Sequence, residues 1–227
     1  MKGWQNPFLN YFFMSSRPTD ERDLQKREAI GIIRASRFIR KYARSNKPIN
    51  FDIICQIHRE IFKTAWPEIA GKFRTENLKI THSKHLPPHH SRIIERIKTA
   101  ELELSEYLKK IERAEGVILD MNNPTDEVIA TIENVVKTAA WLHHIITYIH
   151  PFREGNGRTA RLAANLILER YGLIGISIKI EKENKDNYCQ ALSQIDQRQD
   201  YEPLINLISE GLIERYNGVP VKYYDCK

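Results

Sequence analysis

Residues 150–161 read His-Pro-Phe-Arg-Glu-Gly-Asn-Gly-Arg-Thr-Ala-Arg. This short stretch gathers side chains that can hold and attack a phosphate chain. His150 ordinarily titrates near neutrality, so it can take a proton from an attacking hydroxyl. Glu154 is one carboxylate beside a basic cluster, and one carboxylate completed by phosphate oxygens and water is a usual Mg2+ arrangement. Gly155, Asn156 and Gly157 offer a tight turn whose amides point at an anion if a helix starts there. Arg158 and Arg161, three apart, share one face of that helix's first turn and oppose its dipole. A bound polyphosphate removes the conflict and accepts their guanidinium forks. Taken singly, each residue also has a plain structural reading: a hydrogen-bonded histidine at a helix end, and arginines bridging to Glu127 or Glu154. Phe152 is expected to be the apolar anchor that pins the loop. No Gly-x-x-x-x-Gly-Lys-[Ser/Thr] string occurs, so the turn is not a P-loop.

The elements that must position this stretch are mostly helical. Periodicity predicts helices over 20–43, after Asn50, from a cap at Ser91 to about 115, from an Asn123-Pro124 start to Ile149, and from about Asn156 to Arg170. Two more follow near 182–197 and 201–216. The helix before His150 is apolar around much of its circumference and is expected to be central. Residues 71–90 differ: Leu78, Ile80 and the polar cluster from Thr81 predict a short hairpin, closed by Pro87-Pro88. Residues 175–180 are expected to be extended. The expected organisation is one domain, with an N-terminal helical element (1–50) packed on a core (51–227).

Composition sets outer bounds. The chain has 227 residues, 41% hydrophobic and 28% charged, which suits a folded domain. Net charge is +6, spread over amphipathic segments without a recognisable nucleic-acid motif, so no nucleic-acid partner is expected. Cys55, Cys189 and Cys226 are far apart and in no metal-ligand spacing, which fits a reducing compartment; a cytoplasmic location is the expectation. No cleavable signal or membrane span is read from the sequence, and a homo-oligomer is compatible with it. The histidines 82, 85, 89 and 90 lack a cysteine and are read as surface residues rather than a metal site. His143-His144 either orient the site or pack.

The 150–161 stretch is similar, position by position, to the Fic family pattern His-x-Phe-x-[Asp/Glu]-Gly-Asn-Gly-Arg-x-x-Arg. Gly71-Lys72-Phe73-Arg74 with His85-Leu86-Pro87-Pro88 resembles that family's strand-and-flap region. Tyr188-Cys189-Gln190-Ala191-Leu192 and Asp200-Tyr201-Glu202-Pro203-Leu204 resemble its closing helices. The resemblance implies an all-α fold with a β-hairpin flap over the active site. It also implies transfer of AMP from ATP to a hydroxyl of a target protein, with His150 as base and Glu154 holding Mg2+. Gly155, Asn156 (also through its side-chain amide) and Gly157 then form an anion hole, and Arg158 and Arg161 grip the outer phosphates. The flap residues Leu78, Lys79, Ile80, Thr81, His82, Ser83, Lys84, His85 and Leu86 dock the target segment by strand-like pairing. Kinase-type relatives carry Lys in the glycine loop; Gly157 places this chain with the nucleotidylating branch.

Self-inhibited relatives carry [Ser/Thr]-x-x-x-Glu-[Gly/Asn]. The nearest string here, Asn206-Leu207-Ile208-Ser209-Glu210-Gly211, lacks the hydroxyl residue and is read as structural. Any brake is therefore expected from a separate antitoxin-like chain or another mechanism. Two other readings stay open at this level: a different nucleotide donor, because the motif addresses phosphates and not the base, and a non-catalytic scaffold that binds nucleotide or a partner.

Overall fold

A computed structural model describes residues 17–45, 47–81, 83–112, 125–177 and 183–217. Seven α-helices lie among them: α1 (Glu21–Ala43), α2 (Phe51–Phe62), α3 (Ile93–Glu112), α4 (Asp126–Ile149), α5 (Asn156–Arg170), α6 (Glu183–Arg198) and α7 (Glu202–Tyr216). A single 3-10 turn, His90–Arg92, leads into α3.

Local chemistry sets most helix ends. Asp20 caps α1 by accepting from the Arg22 amide at 3.0 Å, and Asn50 caps α2 by accepting from Ile53 at 3.2 Å. Acidic residues open α1 and basic residues close it, as its dipole favours. The α3 entry differs from expectation. The His89 ring, not Ser91, accepts from a first-turn amide, at 3.4 Å. The α4 cap also differs: Thr125 accepts from Val128 at 3.3 Å, and the expected Asn123-Pro124 start lies outside the described residues.

α4 is the central helix. Val135, Ala139, Ala140, Leu142 and Ile146 have no more than 4% of their surface exposed, and so do Val136 and Ile149. The small side chains Ala139 and Ala140 match Ala160, Ala163 and Ala164 of α5, so the two helices pack closely. α1 lies across α2 and α5. At Gly31 the approach leaves no room for a side chain, because an added Cβ would fall 1.9 Å from the Ile61 carbonyl oxygen.

The segment between α2 and α3 departs from expectation. Among the described residues no strand pair forms within 74–89. The segment instead makes an irregular excursion with one turn, Ser83 N to Ile80 O at 3.2 Å. Pro87 and Pro88 supply no amide donors, and an isolated two-stranded ribbon is marginal in water. Among the described residues the one isolated bridge is antiparallel, Phe73 to Phe152. His82 is outside the described residues. Residues 175–177 carry no regular structure, but Asn165 ties Ile176 with a pair of bonds, 2.8 and 2.9 Å.

Candidate active site

The corner between α4 and α5 turns on His150. It is the C-cap of α4, in the left-handed region at φ 51°, with its amide still bonded to Ile146 O at 3.0 Å. A non-glycine residue there costs free energy and persists only when its surroundings hold it. Arg74 supplies much of that hold. It is buried, 4% exposed, and its guanidinium donates to three carbonyls: His150 at 2.8 Å, Glu76 at 2.8 Å and Pro88 at 2.6 Å. The Arg74 amide also donates to Pro151 O at 2.9 Å. One cation thus sutures the start of the irregular segment, its end and the corner.

The corner's interior is braced by aromatic stacking. Phe152 is fully buried and lies flat on the His58 ring, with centroids 3.9 Å apart. Removing so large a buried ring costs about 3–5 kcal/mol. His58 is itself fully buried and bonded at both nitrogens. Nδ1 accepts from the Gly71 amide at 2.9 Å, so Nε2 carries the proton it donates to Glu154 O at 3.0 Å. Burial, the main cause, lowers the His58 pKa to about 4; the Arg158 charge adds to this and the Glu154 bond opposes it. Gly155 is left-handed at φ 76°, and an added Cβ would lie 2.3 Å from the Phe62 ring. Glycine is therefore required there twice over.

The Asn156 side chain is 2% exposed and closes a ring with the Phe152 backbone, accepting from N at 2.9 Å and donating to O at 2.7 Å. The amide group thus holds the loop that leads into α5. The backbone remains suited to anions: α5 begins at Asn156 behind a glycine cap that has no side chain to satisfy its first amides. Gly157 lies on this open end, and an added Cβ would meet only Arg161 Nη1 at 3.5 Å. Packing alone would tolerate a side chain at 157.

The His150 ring is set up to accept a proton. Nδ1 lies 3.2 Å from the Thr147 carbonyl, which can only accept, so the proton sits on Nδ1 and leaves Nε2 bare. Burial, the largest effect, pushes the His150 pKa below the ordinary histidine value; the Thr147 bond opposes this, the Arg74 charge reinforces it and Glu154 opposes it. The ring is neutral at pH 7.

The two arginines have unlike partners. Arg158 bridges two carboxylates, Glu28 of α1 and Glu154 at 3.0 Å, and stacks over Phe62 at 5.0 Å. Glu154 is half exposed and also accepts from the Gly155 amide at 2.9 Å. Arg161 is half-buried, and among the described residues no carboxylate lies within ion-pair reach of it. Its recorded partner is the Tyr188 hydroxyl of α6. Burial holds that hydroxyl up at about 12, and it meets His143 Nε2 at 2.9 Å. A cation supported by one neutral hydroxyl is unbalanced, and an anion would correct it.

Two cavities reach the start of α5. One of about 520 Å3 is lined by His150, Gly157, Tyr188 and residues of the 80–85 segment. The other, about 340 Å3, is lined by Arg158, Arg161 and the α1 residues Ile32, Ser36 and Arg40. Sequence reasoning expected one site; the structure places His150 and Gly157 on the larger cavity and both arginines on the smaller one. Of the segment 78–86, Ile80, Thr81, Ser83, Lys84 and His85 line the larger cavity, whereas Leu86 is 70% exposed. His85 fastens that segment by donating to Tyr148 O at 2.8 Å. Glu210 is exposed beside a cleft lined by Asn187, Gln190 and Asn206, which neither arginine lines. Among the described residues no three His, Cys, Asp or Glu side chains cluster to form a metal site by themselves, and no helix is long and apolar enough to cross a membrane.

Three supporting residues carried no sequence assignment: His58, Arg74 and Glu28. His58 offered one signal, a histidine between Ile57 and Ile61 on an apolar face. Glu28 offered none, because its partner is 130 residues away.

Comparison with known proteins agrees with this geometry. The pattern of the Fic/DOC family matches residues 48–168. Protein adenylyltransferase Fic of Nematostella vectensis is 30% identical over 197 residues, covering 85% of this chain and 40% of that protein. Protein adenylyltransferase fic-1 of Caenorhabditis elegans is 29% identical over 84% of this chain and 34% of its own length. The chain therefore spans well under half the length of these relatives. A solved fragment of C. elegans Fic-1 superposes with a TM-score of 0.62 at 25% identity, over 89% of this chain and 53% of that one. BepC of Bartonella tribocorum, solved with bound AMPPNP, superposes at 0.57 and 19% identity, over 86% of this chain and 88% of that one, a likeness of fold. The chain belongs to the Fic/DOC family.

Proposed function

We propose that the chain is a protein adenylyltransferase that moves AMP from Mg-ATP to a serine, threonine or tyrosine hydroxyl of a target protein. The observation that carries this reading is the bare Nε2 of neutral His150 beside an open helix start and an anion-seeking Arg161. Nε2 takes the proton of the acceptor hydroxyl, the oxygen attacks the α-phosphorus, and pyrophosphate leaves. The amides opening α5 receive the charge that grows on the α-phosphate oxygens, while Arg158 and Arg161 hold the departing phosphates. The tolerance of packing for a side chain at Gly157 supports this: the need for glycine there comes from an occupant that approaches the backbone.

Mg2+ fits Glu154, a half-exposed carboxylate next to the phosphate cradle, which is the ligand supply this ion takes when substrate phosphates complete its shell. When bound, it neutralises phosphate charge. Glu154 must first release Arg158 and the Gly155 amide. Glu28 competes for Arg158 in the same way, so α1 supplies a brake that the polyphosphate has to displace. A separate antitoxin-like chain would act on the same arginines. The described residues 78–81 and 83–86, which form no strand pair, are suited to strand-like docking of the target.

The test is mass spectrometry of a cell lysate incubated with the chain and ATP. AMP adducts on side-chain hydroxyls are expected with the wild type and absent with His150→Ala. Adducts that persist with His150→Ala would refute the assigned base.

A further inference from the structure

A third cavity, of about 350 Å3, opens where α3, α4 and the α6–α7 junction meet. It shares no lining residue with the two cavities at the start of α5. Three aromatic side chains wall it: Tyr107 of α3, Trp141 of α4 and Tyr201 just ahead of α7. Trp141 precedes His150 by nine residues, about 14 Å along the helix. Trp141 is 4% exposed and both tyrosines are half-buried. The Tyr107 and Trp141 rings lie 5.0 Å apart with their planes tilted by 32°. The Tyr201 hydroxyl meets His144 Nδ1 at 3.2 Å, and its ring stands edge-on to the His144 ring at 5.5 Å. Packing and bonding therefore set the rings before any ligand arrives.

The polar residues around these rings favour one sign of ligand. The chain as a whole carries +6, yet Asp200 and Glu202 line the cavity against one lysine, Lys137, which pairs with Glu133 at 3.2 Å. Asp200 is fixed by accepting from the Glu202 amide at 3.1 Å. Burial, the leading cause, raises the pKa of both phenols, and Glu103 adds to the rise in each, so both rings stay uncharged at pH 7. Lys110 Nζ already lies 5.5 Å from the centre of the Tyr107 ring, an ammonium drawn to the same aromatic wall.

These features sort the possible occupants. An anion would meet the negative faces of the rings and two acidic side chains. A metal ion needs a close shell of oxygens, and among the described residues no three His, Cys, Asp or Glu side chains converge. A neutral apolar ligand would leave Asp200 and Glu202 unused. An organic cation uses both parts, because the ring faces attract its charge and its alkyl groups fill the apolar volume.

We propose that this cavity binds an organic cation of the quaternary or methylated ammonium class, seated against Tyr107, Trp141 and Tyr201 with Asp200 and Glu202 at its rim. The site is independent of the nucleotide reading above and stands or falls without it.

NMR titration of the whole wild-type chain with choline and with 3,3-dimethyl-1-butanol, its neutral isostere, tests the proposal without relying on any variant. Choline is expected to shift the Trp141 indole signal and to bind about 3- to 30-fold more tightly than the alcohol, as for a cation on aromatic faces. Tyr107→Phe keeps the ring and should bind choline within about twofold of wild type, whereas Tyr107→Leu should lose the preference over the alcohol. Lys110→Gln removes the internal cation and should leave choline binding equal or tighter. A peptide bearing trimethyl-lysine separates the sources: tighter binding than choline assigns the cation to a partner's side chain, and weaker binding assigns it to a free small molecule. Equal binding of choline and the alcohol by the wild type would overturn the proposal, reducing the cavity to an apolar one. Choline binding that Tyr107→Leu leaves intact would overturn it too, by placing the cation elsewhere.

Discussion

The corner at 150–158 and the segment at 77–89 face the same cavity but are held in opposite ways. The corner is fastened from beneath: Phe152 stacks on His58, Asn156 rings the Phe152 backbone, and Arg74 grips His150 O. The segment hangs from a few points, chiefly Arg74 on Pro88 O, His85 on Tyr148 O, Asn77 on His90 and one turn at Ile80. A reacting histidine needs fixed geometry, and target recognition needs free backbone edges. The contrast shows where this fold invests its buried polar contacts.

His150→Ala probes that contrast with the largest expected effect. Transfer should fall by about 10^2- to 10^4-fold, while nucleotide affinity and melting temperature stay near wild type, because the brace does not run through the imidazole. A large fall in melting temperature would break the comparison. Next comes Gly155→Ala, expected to destabilise by about 2–4 kcal/mol through left-handed strain and the Phe62 clash. Ser83→Ala in the segment should cost less than about 0.5 kcal/mol, and urea melts of the two variants measure the difference. Arg161→Ala should then weaken Mg-ATP binding by about 10- to 100-fold in calorimetry, because a desolvated cation loses its anion.

The brace also predicts a pH effect. The folded-state pKa values of His58, about 4, and His143, about 3, lie below the ordinary 6.5, in both cases chiefly through burial. The unfolded chain therefore binds these protons first as pH falls. Stability from both groups is complete above about pH 6.5 and declines from there toward pH 4, continuing below for His143. Thermal melts between pH 7 and pH 4 should show the fall. Smallest of all, Glu28→Gln should tighten Mg-ATP binding about two- to tenfold by freeing Arg158 from a half-buried ion pair.

Much of this was legible in the sequence. Asn50 announced its helix because capping is a contact over three residues. Phe152, expected as an apolar anchor, is fully buried against the His58 ring. The hairpin did not survive, because alternating residues without a covering layer do not force pairing. The bonds of the Asn156 side chain to the Phe152 backbone were not legible, because they depend on three-dimensional closure of the loop. Glu28 was silent because its partner stands 130 residues away; Arg74 stood in a quoted motif and His58 on an apolar face, but their partners, 76 and 96 residues away, were not legible.

The central claim is that the bare imidazole nitrogen directs an acceptor oxygen at the innermost phosphorus. Supplying a lysate and the chain with ATP labelled at either the α- or the γ-phosphate tests it most directly. The account predicts protein-bound label from α-labelled ATP alone, lost with His150→Ala. Label arriving from the γ-position would contradict it.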